Sequence, residues 1–313
     1  MRLIDWGWAL LVVLVWGVNF VVIHVGLVGV PPLLLGALRF LLVALPAVFF
    51  VPRPRIPLRW LLAYGLTISF GQFAFLFSAM HVGMPAGIAS LVLQSQVIFT
   101  LCFGALLLRE RWQRHQPLAL GIACLGLIVL ASQQQSGGMT LVGFALTLAA
   151  ASCWGLGNIV TRRISQQGPV DLLSLVVWGA LVPPLPFLVC SAWIEGPQSM
   201  VTALSDLSWS GALAIMYLAL VATIVGYVIW GKLLQRYPVA EVAPLTLLVP
   251  VVGLLAARLL LDEQVQRVQW FGIALVLLGL LVNLFWPRWR QRVRRCVGLS
   301  ADYACLYPAA PRG

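Results

Sequence analysis

Residues 106–116 read LLLRERWQRHQ, and residues 259–269 read LLLDEQVQRVQ. The two words lie 153 residues apart. The same offset carries Tyr64 onto Tyr217, Pro85 onto Pro238, Gly126 onto Gly279 and Val129 onto Val282 without a gap. A weaker echo links Trp16-Gly17, followed by Asn19, with Trp154-Gly155, followed by Asn158. Self-similarity at one long offset marks a duplicated unit. In a chain this apolar it points to the paired halves from which transporters are built.

Of the 313 residues 61% are hydrophobic and 9% charged, whereas a soluble domain carries about 25% charged residues. There is too little polar surface for a water-soluble globule, so the chain belongs in a bilayer. The net charge of +11 does not indicate nucleic acid, because the basic residues stand singly between apolar runs and form no continuous wet patch. Cys102, Cys124, Cys153 and Cys190 lie in apolar runs, with Cys296 and Cys305 near the C-terminus. Without a CxxC pairing they read as packing residues, and no metal or disulfide is expected. His24, His81 and His115 are scattered. HExxH, GxSxG and Walker patterns are missing, so the sequence calls for no enzyme, no cofactor and no ATP-driven pump. The apolar run from Arg2 to Val28 is too long for a signal peptide and ends without an A-x-A site, so it reads as a first retained span.

A crossing helix needs about 20 apolar residues. Ten such stretches occur, near 6–28, 32–51, 60–80, 86–108, 115–132, 141–161, 172–193, 209–231, 239–261 and 267–286. The gaps after spans two, four, six and eight hold Arg53, Arg55, Arg59, Arg109, Arg111, Arg114, Arg162, Arg163, Lys232 and Arg236. The gaps after spans one, three, five and seven hold no Lys or Arg, and the gap after span nine holds only Arg267. The positive-inside rule then places both termini in the cytoplasm. Five spans per half is an odd number, so the second half enters upside down. Arg109 and Arg111 of the first word become Asp262 and Gln264 in the copy that faces outward. The expected fold is an all-α integral membrane protein of ten transmembrane helices in two inverted five-helix repeats, 1–135 and 136–290. A basic, disordered cytoplasmic tail follows over 291–313, and its arginines are placed to touch anionic lipid.

WGVNF at the start of the first span, Arg39 in the second, Pro85-Ala86-Gly87 opening the fourth, and Glu110 and Glu263 at paired helix ends resemble the EamA family of the drug/metabolite transporter superfamily. The resemblance covers about residues 4 to 290. It implies an inner-membrane exporter of cysteine-pathway metabolites, O-acetylserine and cysteine. A broader exporter of amino acids, drugs or purines, and a non-transporting scaffold or lipid-handling protein, remain open alternatives. The expected partners are a small-molecule substrate and membrane lipids, and the sequence leaves a homodimer open.

Several intramembrane polar residues are candidates for the substrate cavity. Arg39 costs at least ~2.5–3.5 kcal/mol in hydrocarbon. It either faces a cavity, where it attracts a carboxylate, or snorkels and bonds neighbouring carbonyls. Gln94, Ser95 and Gln96 interrupt span four, where the repeat has Leu247, Leu248 and Val249. On a regular helix Gln94 and Gln96 point about 200° apart, so one meets substrate and the other bonds an adjacent helix. Asn19 and Asn158, each near a tryptophan (Trp16, Trp154), form either a pseudo-symmetric cavity wall or interhelical hydrogen bonds. Gln72 and Tyr227 are weaker candidates of the same kind. Glu110 and Glu263, flanked by arginines, read as an ion pair or gate latch, with proton coupling as the sharper alternative. Glu241 is a further proton carrier. Pro183, Pro184, Pro186 and Pro250 break spans seven and nine, and Pro184 and Pro250 are the hinge candidates.

Overall fold

The computed structural model describes residues 1–133 and 139–306, the side chains of 239, 240, 243 and 287–306 excepted. Its regular elements are helical throughout: α1 (Leu3–Leu27), α2 (Pro32–Ala47), α3 (Leu58–His81), α4 (Ala86–Leu108), α5 (Gln116–Ala131), α6 (Leu141–Ser165), α7 (Leu172–Glu195), α8 (Pro197–Ser205), α9 (Trp209–Arg236), α10 (Pro244–Leu260) and α11 (Arg267–Leu306). Seven of these are long and apolar enough to cross a membrane by length and composition, the last of them over Arg267–Trp286; α2, α5 and α10 are shorter apolar helices. The surface helix α8 falls where the sequence reading places only a loop. The expected boundary between the halves at 135/136 and the end of the tail lie outside the described residues. The last helix runs on to Leu306, through the segment from residue 291 that the sequence reading takes as a disordered tail.

Local chemistry sets the helix starts. Pro32 and Pro197 open α2 and α8 with a φ already suited to the first turn. Thr140, Asp171 and Ser208 accept the backbone N–H of Gly143, Ser174 and Gly211, capping α6, α7 and α9. The opening word of the sequence is a joint between two helices. Arg109 and Asp262, equivalent by the repeat, both end their helices in the left-handed conformation, at φ 55° and 53°. Glu110 N–H then bonds the Gly104 carbonyl (3.2 Å), and Glu263 N–H bonds the Ala257 carbonyl (3.3 Å). At the next start the Gln116 side chain takes the Gln113 N–H at 2.8 Å, and Gln269 takes the Gln266 N–H at 2.9 Å. This is the reach-back half of a capping box. The repeated residues therefore encode one stop and one start in each copy.

The symmetry extends to irregularities that periodicity did not reveal. A π-helical stretch covers Gly65–Gly71 in α3 and Tyr217–Val225 in α9. A 3₁₀ turn covers Leu93–Ser95 in α4 and Ala243–Leu247 at the entry to α10. α7 is interrupted between Gly179 and Pro184, at the proline cluster. In α10 the break precedes Pro250, which sits in the first turn of the regular segment Leu248–Leu260.

Corresponding helices run antiparallel. A Cβ on Gly126 would lie 2.7 Å from the Gly272 carbonyl oxygen, and one on Gly279 would lie 2.7 Å from that of Ala119. Ala119 and Gly126 of α5 are the repeat equivalents of Gly272 and Gly279 of α11, so the contact is self-complementary in the manner of a two-fold interface. α2 and α7 meet head to tail as well. Leu33 N–H bonds Glu195 at one end, and the Trp178 indole bonds the Val51 carbonyl at the other. The glycine contact is testable: Gly126→Ala is expected to destabilise by about 1–3 kcal/mol, because backbone on the facing helix cannot step aside. Gly121→Ala, whose Cβ meets nothing within 4 Å, is the control. Thermal unfolding in detergent compares them, and equal midpoints would refute the close approach.

Candidate functional site

Arg39 lies seven residues into α2, and Asn19 lies eight residues before the end of α1. A 1.5 Å rise puts both about 10–12 Å from the end at which α1 passes to α2. Arg39 is 4% exposed. One guanidinium nitrogen, Nη2, donates to Thr223 Oγ1 of α9 at 3.0 Å. Nε and Nη1 have no hydrogen-bond partner among the described residues, and Arg39 makes no ion pair there. The guanidinium carbon stands 4.1 Å from the Phe73 ring centroid and 5.3 Å from that of Phe40. Ring faces attract a cation, but they leave its in-plane N–H donors unfilled. The result is a desolvated guanidinium with two nitrogens unpartnered among the described residues.

Side chains of α1 and α9 pack beside it. The Trp16 indole N–H bonds the Ala222 carbonyl at 2.9 Å, one residue before Thr223. Trp16 packs on Tyr227 and Trp230, with centroids 5.4 and 5.3 Å apart. The π stretch of α9 lets Thr223 keep its own donor bond to the Leu218 carbonyl, five residues back. Asn19 is 9% exposed, and its Oδ1 is another buried acceptor with no partner among the described residues. Gln72 is buried next to Phe73 in sequence.

Gln96, Thr100 and Asn158 form a second cluster. The Asn158 amide donates to Gln96 Oε1 at 2.7 Å and to Thr100 Oγ1 at 3.0 Å, joining α6 to α4. Trp154 lies half-buried one turn earlier on α6. Gln94 and Ser95 are buried in the 3₁₀ turn, and Ser95 Oγ has no partner among the described residues. The repeat echo between Asn19 and Asn158 is therefore not an equivalence of bonding, since one is linked and the other keeps a free oxygen.

The carboxylates stand away from this level. Glu263 caps α4, its two oxygens taking the N–H of Ala86 (2.7 Å) and Gly87 (3.0 Å). Glu110 is bonded to Arg162 of α6 at 2.7 Å, rather than to the flanking Arg109 or Arg111. Glu241 is exposed near the N-terminal ammonium, 3.9 Å away. Sequence reasoning missed four residues: Thr223, Phe73, Glu195 and Asp5. Glu195 caps α2 through Leu33 and Leu34 N–H. Asp5 is buried and takes the Tyr237 hydroxyl at 2.7 Å. An acid inside the first apolar run was a visible signal for Asp5; nothing local distinguished Thr223 or Phe73. A separate groove of about 350 Å³ runs along α2, lined by Leu38, Leu41, Leu42 and Ile215 among other apolar residues. It suits an acyl chain, not a polar solute.

Comparison with known proteins agrees with this architecture. The chain is 52% identical over 288 residues to a protein of Escherichia coli named "Probable amino-acid metabolite efflux pump", covering 91% of this chain and 96% of that protein. It is 54% identical over 288 residues to a protein of the same name from Salmonella typhimurium, with the same coverage. A solved crystal structure at 21% identity superposes with a TM-score of 0.60 over 92% of this chain and 99% of that one, showing a shared fold. The sequence model of the EamA-like transporter family matches residues 6–132 and again 141–285, once in each copy of the repeat. The chain belongs to the EamA-like transporter family, and it is a membrane transporter rather than an enzyme.

Proposed function

We propose that this protein exports amino-acid metabolites from the cytoplasm across the bacterial inner membrane, binding them by their carboxylate at Arg39. The carrying observation is the buried guanidinium with two unfilled nitrogens and no counter-ion among the described residues. The names of the similar proteins support the breadth of this reading. O-acetylserine and cysteine are the narrower cargo that the family resemblance implies. The seven long helices and the three shorter apolar ones then make ten spans in two inverted five-helix repeats. Both termini face the cytoplasm, by the arginine distribution.

Transport proceeds by alternating access. Glu263 holds the outer ends of α4 and α10 together, while its counterpart Glu110 is engaged with Arg162. Pro184 and Pro250, beside helix breaks, are the hinges. Trp16, Trp154, Tyr227, Gln72 and Gln94 complete the cavity wall, and Gln96 and Asn158 tie α4 to α6. The proton gradient supplies the drive, with Glu110, Glu241 and Glu263 as the carboxylates available to couple it.

The test is uptake into inside-out vesicles of labelled O-acetylserine and cysteine, alongside a panel of amino acids, drugs and purines. Uptake of amino-acid metabolites that stops when the pH gradient and membrane potential are collapsed is the expected result. Uptake of purines or drugs alone would sink the reading. Uptake indifferent to the gradient would remove the coupling.

A further inference from the structure

Two unfilled polar functions lie at comparable depths along α1 and α2, about 10–12 Å from the end at which they join: the donors Nε and Nη1 of Arg39, and the acceptor Oδ1 of Asn19. Both side chains are at least nine-tenths buried. An unmet buried polar atom is costly unless a ligand meets it. The two are chemically complementary to opposite ends of one small molecule. Arg39 needs an anion, and Asn19 needs a hydrogen-bond donor. A neutral amide oxygen can accept from an ammonium, an amide N–H or a hydroxyl.

Among the described residues this level holds no unpaired carboxylate that would demand a cation. Asp5 is the buried carboxylate among the described residues. It lies fourteen residues from Asn19 along α1, roughly 21 Å away, and is tied to Tyr237 and Arg236. Glu195 is nearer, at the start of α2, but both its oxygens are occupied by Leu33, Leu34 and Ser191. The wall of Trp16, Tyr227 and Trp230, rings tilted onto one another, gives an apolar surface on which an acyl group can lie.

Resting on the carboxylate reading of Arg39, we infer that this site reads its ligand at two points, a carboxylate at Arg39 and one N–H or O–H donor at Asn19. It makes no demand for positive charge on the amino group. N-acylated amino acids and 2-hydroxy acids are therefore ligands alongside free amino acids, and amino-acid esters are not.

Counterflow of labelled cysteine in proteoliposomes holding the full chain tests this, with N-acetylcysteine and cysteine methyl ester as matched competitors. N-acetylcysteine is expected to compete within about threefold of cysteine, and the ester at least about tenfold more weakly, as follows from losing a charge-assisted pair. Asn19→Asp is expected to move the potency ratio at least about tenfold toward cysteine, because a carboxylate there repels the N-acyl anion and attracts an ammonium. An ester as potent as cysteine, or an inert N-acetylcysteine, overturns the inference while leaving amino-acid export standing. An unchanged ratio in a folded Asn19→Asp protein overturns the role of Asn19. Wild-type vesicles without any cysteine exchange overturn both the inference and the cysteine cargo.

Discussion

Arg39→Met is expected to abolish carboxylate export and at the same time to make the folded protein more stable. Removing one partner of a buried charged contact costs roughly 2–5 kcal/mol of binding, which is more than about thirtyfold in affinity. The stability change has the opposite sign. The guanidinium is buried with two nitrogens unpartnered among the described residues, and an arginine in hydrocarbon costs ~2.5–3.5 kcal/mol by insertion scales. Methionine fills a similar volume without that cost, at the loss of the Phe73 and Thr223 contacts. Thr223 keeps its own bond to the Leu218 carbonyl, so its hydroxyl proton is not orphaned. Arg39→Lys restores the charge without the planar fork and is expected to fall between the two. Vesicle transport together with detergent melting curves decides the matter. A destabilised Arg39→Met protein would mean that the guanidinium is a structural strut.

The second large effect is expected at Glu263. This carboxylate satisfies the first two free N–H groups of α4 from the end of α10, 177 and 176 residues away. It is also the favourable charge for a helix start. Truncation to alanine removes an N-terminal cap, a loss of about 1–2 kcal/mol. Because the cap bridges two helices, that loss falls on the state in which their ends meet. A shift of this size changes a two-state population by about 5- to 30-fold. Leu254, which packs beside Gly87 at this junction, serves as reporter when replaced by cysteine in a chain lacking its native cysteines. Glu263→Ala is expected to raise labelling of this site by a membrane-impermeant thiol reagent by that factor. Labelling unchanged from the parent would show that Glu263 caps a helix without holding a gate.

The sequence was most legible where structure is local. The paired words mark a duplicated unit, and Arg109/Asp262, Gln113/Gln266 and Gln116/Gln269 build the same joint in each copy. The inverted placement read from arginine counts has its counterpart in the antiparallel contacts of Gly126 and Gly279. The π stretches were not legible, because apolar residues at nearly every position leave no periodic stripe from which a change of pitch could be read. The angle assumed between Gln94 and Gln96 was also approximate, since a 3₁₀ turn advances about 120° per residue rather than 100°.

What the sequence by itself determined is the unit and its duplication: where helices stop and start, how many apolar runs there are, and which polar residues must be accounted for inside them. Only the tertiary structure decided which of those polar residues have partners. Glu110 and Glu263 are equivalent by the repeat and follow the same left-handed turn, yet one meets Arg162 and the other the start of α4. Asn158 finds Gln96 across 62 residues, and Arg39 finds Thr223 across 184. Helix ends are fixed by hydrogen bonds among residues three to six apart, which any copy of the word reproduces. Partners across helices depend on how whole helices cross, so two copies of one motif meet the same surroundings only where they face each other across the repeat axis, as at Gly126 and Gly279.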